Sequence, residues 1–176
     1  MFYRSGLISV INKNQKGFAL IEMTVAIAIT GLLTVGTTTA VFQVSTHITR
    51  GTNHMTAVKQ VENALHWISR DAQMAQIVEP NGDSGFPLNL SWILWDNTVY
   101  QVTYTLKDGK LKRNHATNGG EPSETVVAQY IDSGSEVTNC QFVGGKLIFK
   151  VTAIAGEGSQ VASETRVCEV SPRPDL

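Results

Sequence analysis

Glu22 is the single charged side chain in residues 17–42, GFALIEMTVAIAITGLLTVGTTTAVF. A lone carboxylate in a segment otherwise fit to span a membrane is costly, signals function by default and implies a partner. The segment begins at Gly17, directly after Lys16, and the charges ahead of it are Arg4, Lys13 and Lys16. That order is wrong for an ordinary signal peptide, in which a short apolar region is removed at a small-residue site that follows it. Here the small residue comes first and the apolar run comes after.

Other residue types that do chemistry lack the company they need. Asp83-Ser84-Gly85 has the order of the nucleophile loop of chymotrypsin-type serine proteases, a chemistry that also requires a base His and an orienting Asp on a two-barrel scaffold. His66 falls in a helical pattern, and the region after residue 80 is too short for two barrels, so a polar turn is expected there. His47, His54, His66 and His115 show no zinc-ligand spacing with cysteines or carboxylates. Asp83, Asp96, Asp108 and Asp132 are scattered rather than arranged as a calcium loop. No cofactor, no metal and no enzymatic role are expected.

Lys16-Gly17-Phe18 with Glu22 and the uncharged run behind it resembles the processing motif of class III signal peptides, found in type IV pilins and the pseudopilins of type II secretion systems. The resemblance implies cleavage between Gly17 and Phe18 by a prepilin peptidase, N-methylation of Phe18, and a charge pair between Glu22 and the new Phe18 amine. Such an amine is cationic below a pKa of about 7.7–8.0, and in hydrocarbon an ammonium and a carboxylate stay charged only when paired. Residues four apart on a helix face each other, so Glu22 can meet its own amine or that of a neighbouring subunit. Both arrangements are open to this sequence.

These residues need a helix to carry them. A span of about 20 residues crosses the hydrocarbon core, which takes residues 18–42 as the transmembrane and assembly helix. No Pro occurs between Phe18 and Pro80, and Val58, Val61, Leu65, Ile68, Ala72 and Ala75 recur at helical spacing as a one-sided apolar stripe. Residues 43–79 are therefore expected to continue the helix as an amphipathic segment, stopped by Glu79-Pro80-Asn81-Gly82. Gly31, Gly36, Gly51 and the cluster Thr37-Thr38-Thr39 are its weak points.

From residue 80 to 176 the pattern changes to period two with turn signals. Strands are expected at 90–95, 99–106, 111–114, 125–131, 136–143, 146–154 and 160–170, with Asp108-Gly109 as a hairpin turn. A helix first and strands later indicate an α+β fold, the helix covered by a C-terminal antiparallel sheet, as in pilins. Residues 67–76 (WISRDAQMAQ), followed by 104–113 (YTLKDGKLKR), resemble the J-type minor pseudopilins. These share a helix ending in an Arg-Asp pair and a strand pair of the form Tyr-x-Leu-x-Asp-Gly-x-Leu-x-Arg. Cys140 and Cys168 both fall in expected strands, and outside the cytoplasm a bridge between them would clasp the last strand onto the sheet.

The 176 residues allow one anchor and one modest domain. Net charge is −1, and removal of residues 1–17, a leader with three of the 14 basic side chains and none of the 15 acidic ones, leaves −4. Nothing there favours nucleic acid. Basic residues on the leader, with none on the first helix, are expected to place the leader in the cytoplasm and the C-terminal domain outside, on a single-pass inner-membrane protein. The resemblance implies a structural subunit that helps initiate or cap a pseudopilus or pilus-like filament. Its implied partners are the prepilin peptidase/methyltransferase, other pilin-like subunits and the membrane assembly platform. The alternative is a membrane-tethered adhesin, or a DNA- or substrate-binding minor pilin.

Overall fold

A computed structural model describes residues 15–173, with side chains from Ala19 onward. Arg4, Lys13 and the side chains of Lys16 and Phe18 lie outside the described residues. The chain is α+β. A helix, α1 (Gln15–Met74), is followed by β1 (Ile77–Pro80), β2 (Leu88–Ile93), β3 (Val99–Lys107), β4 (Lys110–Thr117), β5 (Ser123–Ala128), β6 (Asn139–Val143), β7 (Lys146–Ala155) and β8 (Ala162–Val170). The residues as far as Thr46 form one unit, and those from His47 onward form another that holds the later turns of α1 and all of these strands.

The strands form two antiparallel meanders rather than one sheet, β1-β2-β3-β4-β5 and β6-β7-β8. The chain after β5 does not continue the ladder. Tyr130 takes a left-handed φ of 60°, and residues 130–132 run onto the edge of β7, where Tyr130 O accepts from Ile154 N–H at 2.7 Å and Asp132 N–H donates to Thr152 O at 2.9 Å. The expected hairpin turn is in place. Asp108 and Gly109 have φ of 52° and 68°, the left-handed pair that a two-residue turn between twisted strands requires.

The helix ends at Met74, five residues short of the expected end at residue 79. Ala75 N–H still bonds back to Asp71 O, but Gln76 N–H donates to Ser91 O at 2.9 Å, and the Gln76 side chain accepts Ile93 N–H at 2.8 Å. The β2 ladder has captured the chain. β-Branched Ile77 and Val78 suit a strand as well as they fit the helical period, and Pro80 is tolerated because β1 is a sheet edge.

Within the second unit, the buried stripe of α1 is Ala57, Val61, Ala64, Ile68 and Ala72, continued by Ala75 just past its end, all fully buried in one core with Leu88, Leu90, Val102, Tyr104, Leu111, Leu147, Phe149 and Val151. Ala57 and Ala64 take the places expected for Val58 and Leu65, which are only half-buried. Small side chains let helix and sheet approach closely, and the larger ones lie on the flanks.

One polar group sits inside this contact. Asp71 is 3% exposed. It accepts a hydrogen bond from Tyr104 Oη at 2.5 Å and a two-pronged contact from Arg113, Nε to Oδ2 at 2.6 Å and Nη2 to Oδ1 at 3.2 Å. Tyr104 and Arg113 are cross-strand partners in β3 and β4, so one carboxylate grips both strands. Trp67, one turn earlier on α1, has two guanidinium groups over its ring, Arg70 at 5.1 Å and Arg113 at 5.2 Å. Both contacts fall within cation–π range.

The expected Cys140–Cys168 bridge is not formed, and both thiols are free. Cys140 in β6 and Cys168 in β8 both pair with Phe149 of β7, one from each side. Two ladder steps separate their Cα atoms by about 10 Å, beyond the roughly 7 Å that a disulfide can span. Cys140 Sγ instead donates to Gly85 O at 2.8 Å, and Cys168 Sγ lies 3.6 Å from Ser69 Oγ. A Cβ at Gly85, whose φ is +75°, would meet Cys140 O at 1.9 Å, so only glycine fits there.

Removing one partner of a buried ion pair leaves an uncompensated charge, so Asp71→Ala is expected to cost about 3–5 kcal/mol in urea unfolding of the full chain in detergent. Tyr104→Phe, which removes one hydrogen bond to a charged group, is expected to cost about 2 kcal/mol. Burial, and next the Asp71 charge, hold the Tyr104 hydroxyl above its usual range. Above pH ~10 the unfolded chain releases that proton while the folded one keeps it, so stability falls as pH rises, and Tyr104→Phe should flatten this alkaline limb. For the cysteines, the intact mass of the native protein should not change on reduction. Alkylation should reach Cys168 before Cys140, whose thiol burial pushes up to about 12. A reducible mass difference would refute the free-thiol arrangement.

Candidate functional site

In the first unit the apolar residues of α1 from Leu20 to Val44 are exposed, an arrangement for a helix whose surroundings are apolar rather than aqueous. The helix is long and apolar enough to cross a membrane, with a window of mean hydropathy 1.9. Its hydroxyls do not oppose that. Thr30, Thr34, Thr37, Thr38 and Thr39 each donate to the carbonyl four residues earlier, at 2.8–2.9 Å, and Thr24 donates to Ile21 O at 2.8 Å. Back-bonded hydroxyls bring no unmet polarity into a bilayer.

Glu22 is different. It is exposed on α1, and among the described residues no side chain pairs with it. The α1 backbone carries Gly17, Phe18 and Glu22 on consecutive turns, with positions 18 and 22 one turn apart on the same face. The helix is unbroken at Gly31, Gly36 and Gly51, and a Cβ at any of the three would meet nothing within 4 Å. Among the described residues no contact therefore requires glycine there.

Residues 12–38 match the family model of the prokaryotic N-terminal methylation motif. The chain carries that methylation motif. The matched residues contain Gly17, Phe18, Glu22 and the start of the apolar helix, which is consistent with a type IV pilin-like protein and a single-pass anchor. The motif implies processing by prepilin peptidase and assembly with other pilin subunits. It suggests a structural subunit rather than an enzyme. No curated protein and no solved structure gives a significant match to the chain.

The other reactive types have local structural partners. Ser84 Oγ accepts Phe86 N–H at 3.4 Å, and Ser84 O accepts Cys140 N–H at 2.8 Å, so the Asp83-Ser84-Gly85 turn is packed against β6. His66 stacks edge-on to Trp67, and His115 stacks on Tyr100. Among the described residues no three His, Cys, Asp or Glu side chains converge as a metal site. The sequence reading missed the Asp71–Tyr104–Arg113 cluster as a unit. All three residues were visible in the two J-like segments, and the signal was an acid, a phenol and a guanidinium at positions that a hairpin brings together.

Proposed function

We propose that the chain is a minor pilin-like subunit of the pseudopilin kind, processed between Gly17 and Phe18, methylated on Phe18 and assembled through Glu22. The observation that carries this reading is Glu22, a carboxylate on the apolar helix with no side-chain partner among the described residues. Cleavage ahead of Phe18 supplies an amine one turn away, and a packed filament supplies the amine of a neighbour. Residues 18–42 serve as the anchor and the packing helix. The β part from residue 80 onward lies outside the cytoplasm.

Placement among J-type minor pseudopilins draws support from the way the two J-like segments meet. Asp71 of the first grips Tyr104 and Arg113 of the second, Leu106 pairs with Leu111, and Asp108-Gly109 turns the hairpin. The shared pattern is thus one packing device, and its role is to hold helix to sheet in a subunit that initiates or caps a filament. Partners in this reading are the peptidase/methyltransferase, other subunits and the membrane platform.

Co-expression with a prepilin peptidase and a filament-forming partner set tests the proposal. Gly17→Val is expected to leave full-length precursor on an immunoblot. Glu22→Ala is expected to be cleaved normally and to vanish from the sheared filament fraction. Filaments that form and include Glu22→Ala as well as the parent chain would sink the assembly role, and cleavage of Gly17→Val would sink the processing site.

A further inference from the structure

Between the last turns of α1 and the β2–β4 face of the first sheet lies an open groove of about 560 Å³. Its helix wall presents Trp67 and Arg70, and its floor is a run of stacked rings. Trp92 lies on Tyr100 at 5.5 Å with planes 3° apart, and Tyr100 on His115 at 5.6 Å. Three formal charges line it: Arg70, Asp71 and Arg113. Asp71 and Arg113 neutralise each other. Arg70 is exposed and lies on the Trp67 ring at 5.1 Å, and no carboxylate pairs with it among the described residues.

The turn from β2 to β3 extends this surface. Leu94 lines the groove, and the next residue, Trp95, is 94% exposed. The turn is held in one shape. Leu94 N–H donates to Thr98 O and Asn97 N–H to Leu94 O, both at 3.0 Å, while the Asp96 carboxylate is turned to Thr98 N–H at 3.0 Å. A tryptophan held fully out by a locked turn gains nothing for the fold of its own chain. Tryptophan, tyrosine and arginine are the side chains that dominate protein–protein hot spots.

We propose that this groove is a docking site for an acidic segment of a partner protein. The partner's carboxylate would sit on Arg70, and an adjoining apolar or aromatic side chain on the Trp92–Tyr100–His115 stack. Charge complementarity selects the occupant. The groove carries one net positive charge, already positioned by an aromatic face, and a single carboxylate satisfies it in the planar geometry that guanidinium favours. A nucleic acid asks for a continuous basic track, and no lysine lines the groove. The site is independent of whether Glu22 drives assembly.

The test is fluorescence anisotropy on the full chain in detergent micelles, with labelled Gly-Phe-Glu-Glu-Gly and its Gln-for-Glu counterpart as probes. The acidic peptide is expected to bind about tenfold tighter than the neutral one, as loss of a charge-assisted contact implies. Arg70→Gln, at an exposed position outside the Asp71 cluster, should erase that preference, and Trp95→Ser should weaken both peptides. Equal binding of the two peptides, an undiminished preference in Arg70→Gln, no binding at millimolar peptide, or tighter binding of a single-stranded oligothymidylate would each overturn the proposal.

Discussion

The second unit of this protein depends on a buried carboxylate that must be saturated. A charge taken out of water is stable only where geometry and hydrogen bonds repay its desolvation, and Asp71 meets that demand with three donors from two side chains. The requirement fixes more than one contact. Tyr104 and Arg113 face each other across β3 and β4, so both reach the helix only in this register. A slip of one residue between the two strands would put these side chains on opposite faces of the sheet and take one of them from the charge. Asp108 and Gly109 sit midway between 104 and 113, and their left-handed φ values set that register. Turn, ladder and clamp therefore specify one another.

The first unit follows the opposite rule. Its threonines spend their hydroxyls on their own helix, and its apolar side chains point outward. What remains is one carboxylate with no partner among the described residues. In the second unit a buried acid is completed by its own chain; in the first an acid is left for something else to complete. On the proposed assembly role, that asymmetry separates a group that holds a fold from a group that awaits an encounter, and the methylation motif at residues 12–38 implies the processing that would prepare it.

Where local chemistry decides, the sequence was readable. Period-two patterning located the strands and Asp108-Gly109 located a hairpin, because both signals act between near neighbours. Where partners far along the chain decide, it was not. Ile77 and Val78 fit a helix and a strand equally, and only the Ser91 carbonyl, distant in sequence, tips them into a ladder. Ala57 and Ala64 drew less notice than Val58 and Leu65, yet close approach to the sheet selects small residues. The cysteines illustrate a signal present but unused. Three successive strands joined by short connections form a meander, so residues on its first and third strands are held a strand apart. Cys140 and Cys168 were thus separated by the same turns that marked the strands.

The Arg-Asp pair at positions 70 and 71 ties these threads together. Adjacent residues on a helix point about 100° apart, so this pair cannot serve as its own ion pair. Once Asp71 is turned inward to be clamped, Arg70 is turned outward, and Trp67, three residues back on its side of the helix, gives its guanidinium an aromatic face to lie on. The demand for a buried anion at the helix–sheet junction thereby leaves an ordered cation beside it at the surface. Arg113 also lies against that ring, at 5.2 Å, so the tryptophan that walls the groove is in contact with the clamp. The groove is rigid because the fold needs Asp71, and it is cationic because Asp71 is consumed within the fold.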